Sequence, residues 1–471
     1  MEAQYGGPDR FGHSLGKPDS LRPSDRRRAE RPRTGGLASS LVTSAPTPPR
    51  LRARTVPIGD PGDLLAYLSG VADVAWVRRG DGLVGLGVAA RVEVDTMDAG
   101  ADWWAGVAAS IEHTSDVPAG AGIGPVAFGS FTFDPENTAA RSVLIVPRLV
   151  IGRRGGRSWL TAVEPADSRA GAVALPAITP DADGPGCVEV RPADLDADGW
   201  AREVGRLVAQ INSPEGGLAK VVLARAVRGT AERPIEARWL ARRLASAYPT
   251  CWTFHVEGLV GASPEMLLRA EGGLATSRVL AGTIRRSDPS QDAALAEALS
   301  GSGKDLEEHR FAVDSVADAL RPYCSGMNVP DAPFVLQLPN VMHLASDVTA
   351  VMTGAVSSLR LAGRLHPSAA VCGTPTASAL AAIAAHEHLD RGRYAGPVGW
   401  TDLRGDGEWA IALRCGQLDA DDPRAITLYA GCGVVGRSRP DAEVAETHAK
   451  LLPMLDALGA RDALSAADAR S

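Results

Sequence analysis

The sequence predicts an α+β fold, one large body in which helices and hairpin-linked strands are mixed without regular βαβ alternation. Two observations carry this. Apolar runs of strand length cluster at residues 84–94, 126–134 and 142–151, and again at 252–256, 259–262 and 266–270. Helical periods are interspersed with them, at 199–211, 235–248 and along a stretch from about 291 to 320. Between the first two helices, LAKVVLARAV (218–227) reads as a buried strand. Thr374-Pro375 reads as an N-cap followed by a first-turn proline, opening a helix to about residue 389. Residues 396–402, 408–418 and 426–429 read as paired strands, and 442–458 as a final helix.

Residues 1–55 are rich in Pro, Gly, Ser and Arg, with eleven basic and five acidic side chains and no apolar period, and are expected to be a disordered tail rather than a nucleic-acid arm. A catalytic body is expected over 56–460 and a flexible end over 461–471. The net charge of −7 gives no reason to expect a polyanionic partner. Six cysteines without a CxxC pair suit free thiols in a reducing compartment. No window approaches the roughly 20 unbroken apolar residues of a membrane span, and the N-terminus lacks the apolar core of a secretory signal. A cytoplasmic protein without a membrane or nucleic-acid partner, and a monomer, are the expectations.

Several motifs fail on spacing. Gly301-Ser302-Gly303-Lys304 lacks the first glycine, the closing Ser or Thr and the preceding strand of a phosphate loop. His386-Glu387-His388 puts its histidines at i,i+2, which point apart on a helix, so surface residues are expected there.

Other residues carry chemistry. Lys220 leads an apolar strand, where an ammonium without a partner is costly. Asp305 and Glu308 share one helix face, as do Glu443 and Glu446, with Lys450 four residues further on. Two such carboxylate pairs could converge on a divalent cation, and oxygen-only ligands favour Mg²⁺; on spacing alone, two solvated helix faces with local ion pairs are the commoner source of this pattern. Ala430-Gly431-Cys432-Gly433 reads as an anion-binding nest or a plain turn. Arg414, inside WAIALRCG, needs a carboxylate or phosphate partner if buried.

Taken in order, KVVLAR from Lys220, GASPE ending at Glu265, LAGT (280–283), Glu308-His309, LHPSAAVCGTP (365–375), RYAGPVGW (393–400), the strand bearing Arg414, AGCGVV (430–435) and ExxETxxK (443–450) resemble the chorismate-utilising enzymes, and within them the isochorismate synthases. AFGSFTFDP (127–135) fits as well, and the likeness spans about residues 120–458. The resemblance implies an anthranilate synthase component I-like fold: two sheets flanked by helices, with the active site between them. It implies chorismate and isochorismate as ligands and Mg²⁺ as cofactor.

By the same resemblance, Lys220 activates water for attack at ring carbon 2, and Glu265 assists departure of the hydroxyl at carbon 4. Glu308 and Glu446 match the Mg²⁺ carboxylates, with Asp305 and Glu443 behind them. Tyr394 and Arg414 match residues that hold the enolpyruvyl carboxylate. Gly282, Thr283, Gly431 and Lys450 match positions around the substrate's carboxylate and hydroxyl groups, and His343 matches a pocket histidine. Lys220 must be unprotonated to act as base, a state that desolvation favours. Within the family, Lys220 argues for water rather than ammonia as nucleophile. Small apolar Ala370 and Val371 resemble isochorismate synthases more than salicylate synthases, which tend to a threonine near Ala370. Ser368 and Cys432 depart from a usual Thr and Ala. Salicylate synthase, an aminating enzyme and a non-catalytic chorismate-binding protein are the alternatives.

Overall fold

The structure is a computed structural model that describes residues 47–463 apart from 169, 170, 172, 179, 181, 182, 287 and 355. Its organising element is the thirteen-residue strand Ser142–Arg154. One edge of this strand pairs with Asp81–Val94 along nearly its whole length. The other edge is shared: residues 143–145 pair with Val126–Ser130, and residues 149–154 with Arg157–Pro165.

Two runs of antiparallel strands leave this shared strand. The first passes through Asp81–Val94, Val74–Arg78, Trp252–Val256, Leu259–Ser263, Cys415–Leu418 and Ala425–Val435 to Lys220–Ala231. The second passes through Val126–Ser130, Pro397–Asp402, Gly407–Ile411, Met266–Glu271 and Leu274–Arg285 to Val341–Met352. These runs are the two expected sheets, joined into one 21-stranded ladder because a single long strand offers partners to both. The chain crosses from one run to the other between Ser263 and Met266, and back between Ile411 and Cys415. Glu265 stands in the first crossing and Arg414 in the second.

Helices cover the sheets through apolar stripes. Ala197–Ile211 buries Trp200, Val204 and Leu207 at i, i+4 and i+7, and the Asp196 side chain caps it by accepting from Gly199 N at 2.6 Å. Gly303–Leu320 lays His309, Ala312, Val313, Val316 and Leu320 on the second run. Pro440–Leu458 ends at Gly459, whose φ of 75° is the left-handed C-terminal turn that glycine adopts without a Cβ penalty.

Several expected boundaries change. Leu51–Pro57 is a strand, paired with Arg157–Pro165 and Glu112–Ser115, with Leu51 and Thr55 buried, so the body begins before residue 56. Residues 1–46 and 464–471 lie outside the described residues. The expected long helix is two, Asp292–Ser300 and Gly303–Leu320, because Ser302 leaves the helix to cap the second. Pro375, in a cis peptide, is itself the N-cap residue of Thr376–His386, and Thr374 belongs to a short strand. Residues 408–418 are not one strand but two, broken at Ala412–Arg414, where Arg414 takes a φ of 49°. No helix of the described residues is long and apolar enough to cross a membrane.

Candidate active site

One narrow cavity opens between the two runs. Glu265 and Arg414 reach it from the crossings, Gly282 and Thr283 from Leu274–Arg285, and His343 from Val341–Met352. Gly431 comes from Ala425–Val435, Glu308 and Lys450 from the two covering helices, and Ala370, Val371 and Tyr394 from the connecting segments. Eleven of the residues singled out in the sequence therefore face one space.

Lys220 stands behind this wall, with no exposed side-chain surface, its Nζ 3.0 Å from Glu308 Oε1. Burial disfavours the charged form of Glu308, but the nearby ammoniums of Lys220, Lys450 and Lys304 outweigh it and hold the carboxyl below the usual range. The glycines in AGCGVV are strand positions rather than a nest or turn, since the whole of Ala425–Val435 pairs with Lys220–Ala231. Space is their purpose. A Cβ at Gly433 would fall 2.4 Å from Glu308 Oε1 and 3.0 Å from Lys220 Cε, and one at Gly431 would fall 3.2 Å from the Tyr394 hydroxyl.

Glu265 is 5% exposed, and burial pushes its carboxyl up to about 7 against the opposing pull of a Leu280 backbone hydrogen bond, Lys220, Arg414 and Lys450. It is therefore a carboxyl that can hold a proton near neutrality. Arg414 is buried, and among the described residues no carboxylate lies within ion-pair reach of it. Its Nη2 meets His343 Nε2 at 3.1 Å instead. Burial, then the charges of Arg414 and Lys450, hold His343 well below the usual imidazole range, so the ring is neutral. Nε2 must then accept from Arg414, which leaves Nδ1–H to donate to Thr283 Oγ1 at 3.0 Å. The guanidinium keeps its charge and its planar fork free for a carboxylate. Tyr394 stacks on Tyr429 with ring centroids 5.0 Å apart, and burial pushes its phenol far up, so it stays a neutral hydroxyl.

The remaining carboxylates are held by lysines. Glu446 Oε1 lies 2.6 Å from Lys450 Nζ, which also donates to Gly431 O at 2.9 Å, and Glu443 Oε1 lies 3.1 Å from Lys304 Nζ. Burial, with the negative charges of Glu443 and Glu308 against the pull of Lys450, raises the Glu446 carboxyl. Among the described residues no three such side chains converge as a ready cage for an ion. The chemistry of Glu308, Glu443 and Glu446 nevertheless fits a hard divalent cation: all donors are carboxylate oxygens. Asp305 does not join them. Its backbone N–H donates to the Ser302 hydroxyl and its carboxylate accepts from it, a capping role at the helix start.

Two residues escaped the sequence reading. Glu387, expected on the surface, is 2% exposed and pairs with Arg391 at 2.6 Å. Glu387 Oε2 accepts from Ala224 N at 2.7 Å, while Arg391 donates to Val222 O at 2.7 Å and to Val371 O at 2.9 Å. The pair clamps the Lys220 strand to the segment carrying Val371. Its i,i+4 spacing was the available signal, but the expected helix ended at about residue 389, before Arg391.

The family model described as chorismate binding enzyme matches residues 74–459. MenF of Mycobacterium tuberculosis is 38% identical over 351 residues, 72% of this chain and 87% of its own. The isochorismate synthase MenF of Bacillus subtilis is 32% identical over 366 residues, 72% of this chain and 75% of its own. Among solved structures, the menaquinone-specific isochorismate synthase MenF from Escherichia coli superposes with a TM-score of 0.71 at 25% identity, covering 88% of this chain and 96% of that one. Anthranilate synthase component I from Streptococcus pneumoniae shares the fold, with a TM-score of 0.62 at 20% identity over 90% of this chain and 95% of its own. A buried proton-bearing carboxyl, a caged lysine and an unpaired arginine around one cavity thus sit in a chain that belongs to the chorismate-binding enzyme family.

Proposed function

We propose that the protein is an Mg²⁺-dependent isochorismate synthase, an isomerase that moves the hydroxyl of chorismate from carbon 4 to carbon 2 with water as nucleophile. The observation that carries this is the pairing of opposite proton demands at one cavity: a buried lysine directly behind its wall, held by the lining residue Glu308, and a buried carboxyl titrating near 7 at the crossing between sheets. Lys220, in its neutral amine form, takes a proton from water as the new bond forms at carbon 2. Both ring double bonds shift by one position around the ring, the bond from carbon 4 to oxygen breaks, and Glu265 gives its proton to the departing hydroxyl, which leaves as water. Return of the proton from Lys220 to Glu265 through solvent restores both groups, and the same path runs in reverse.

Chorismate is a dianion. Arg414, with Tyr394 and the neutral His343–Thr283 pair beside it, supplies a charged fork for one carboxylate. Glu308 and Glu446, with Glu443 adjoining, are the residues that would hold Mg²⁺. When bound, the ion supplies positive charge to the second carboxylate. Ala370 and Val371 line the cavity as apolar groups and offer no polar contact that would favour elimination of the enolpyruvyl group. Incubation with chorismate and chromatography of the products tests the proposal: isochorismate supports it, and salicylate with pyruvate replaces it with a salicylate synthase. Soluble cytoplasmic biosynthesis is the setting that goes with this reaction.

A further inference from the structure

Away from the catalytic cavity, a cleft of about 250 Å³ opens beside the Val74–Arg78 and Asp81–Val94 hairpin. Four indoles wall it, from Trp76, Trp159, Trp252 and Trp400, and five arginines line it against two carboxylates, Asp81 and Glu408. Both acids are already engaged. Glu408 accepts from Trp76 Nε1 at 2.8 Å and pairs with Arg269 at 2.8 Å and Arg154 at 3.2 Å, while Asp81 faces Arg153 at 3.6 Å.

Arg78 and Arg79 have no carboxylate within ion-pair reach among the described residues. Arg78 donates through Nε to Thr250 O at 2.7 Å and lies over the Trp252 ring, 4.0 Å from its centroid. Burial, then the positive charges of Arg278, Arg79 and Arg269, weaken its hold on its proton, with Glu408 opposing. The indole N–H groups of Trp159, Trp252 and Trp400 and the Nε of Arg269 are buried without an acceptor. The three tryptophans are 1%, 4% and 2% exposed.

The cleft therefore combines excess positive charge and flat apolar walls, with donors that lack acceptors buried in the residues around it. We propose that it is a second ligand site, one that binds a small planar ring carboxylate of the benzoate class. The carboxylate meets the Arg78 guanidinium, whose plane is already fixed on Trp252, and the ring lies among the indoles. A cavity of about 150 Å³ accepts benzene, so the space here admits a six-membered ring with its acid group. The site is distinct from the catalytic cavity and does not depend on the reaction proposed above.

Isothermal titration of the full chain with sodium benzoate tests it, with benzamide and sodium acetate as separate arms. Benzoate is expected to bind and to change tryptophan fluorescence, while benzamide (no charge) and acetate (no ring) bind at least about tenfold more weakly. Arg78→Gln is expected to weaken benzoate by about tenfold or more, while Arg414→Gln, in the catalytic cavity, leaves it within about twofold. The proposal is overturned if benzoate does not bind, if acetate or benzamide matches it, if Arg78→Gln keeps full affinity, or if Arg414→Gln loses it. Should Arg78→Gln fail to fold, Arg79→Gln asks the same question and is read in the same way.

Discussion

Lys220 and Glu308 face each other at 3.0 Å inside the protein, so the amine proposed to activate water is held by a carboxylate from the helix above it. The strand fixes the lysine along its length, with Lys220 registered against Val435 on one side and Thr374 on the other. Position rather than flexibility is what this arrangement provides. Lys220→Ala should cut kcat by at least about a thousandfold while chorismate affinity, measured by calorimetry, changes only a few-fold. Near wild-type turnover in that variant would remove Lys220 from its role.

Glu265 gives a pH signature. Its folded value of about 7 lies above the ordinary carboxyl value of 4.5, and the acid must be protonated to serve the departing hydroxyl. The plot of kcat/KM against pH should therefore fall on the alkaline side with an apparent pKa near 7, and Glu265→Gln should lose that limb together with most of the activity.

Stability follows from the same shift. A carboxyl raised in the folded state binds its proton more tightly there than in the unfolded chain, so it costs nothing below about 4.5 and its full penalty above about 7. The shift corresponds to a penalty of order 3 kcal/mol. Glu265→Gln should be more stable than the parent at pH 8 and indistinguishable from it at pH 4, by denaturant titration at both.

Gly433 tests the geometry of the caged pair without touching a charge. A methyl group there overlaps Glu308 Oε1 and crowds Lys220 Cε. Gly433→Ala should lower kcat by about a hundredfold with a small change in thermal midpoint, because the carboxylate can swing aside but the alignment cannot survive. Full activity in a folded Gly433→Ala protein would show that the close approach is not needed.

The Glu387–Arg391 clamp should behave as a buried pair whose loss leaves one charge alone. Arg391→Ala should destabilise the protein by about 3–5 kcal/mol. Glu387→Gln keeps an acceptor for Ala224 N, so it should retain more stability than Arg391→Ala, while both lower kcat through the Lys220 strand and Val371. Chemical denaturation and single-turnover rates separate the two effects.

Much of the site was legible because its chemistry is carried by residue types that are costly where they stand. Lys220 in an apolar strand and Arg414 beside buried aliphatics announced unmet charge, and both prove buried. Glu308 and Glu446 were visible through i,i+3 spacing, and the same spacing drew in Asp305, whose hydrogen bonds go to Ser302 at the helix start. Spacing reports a shared face and says nothing of which partner that face meets. The glycines of AGCGVV show the opposite failure. Their small size serves Glu308 and Tyr394, which are distant in sequence, so local reading could offer only a turn or a nest. The joining of the two sheets by Ser142–Arg154 is likewise a matter of which edge each neighbour takes, and hydrophobic pattern does not encode that.

The most direct test incubates the purified protein with chorismate, with Mg²⁺ and separately with EDTA, and identifies the products by chromatography. Isochorismate without pyruvate in the Mg²⁺ arm, and no conversion in the EDTA arm, is the predicted result. Salicylate and pyruvate, an aminated product when ammonia is supplied, or turnover indifferent to EDTA would contradict it.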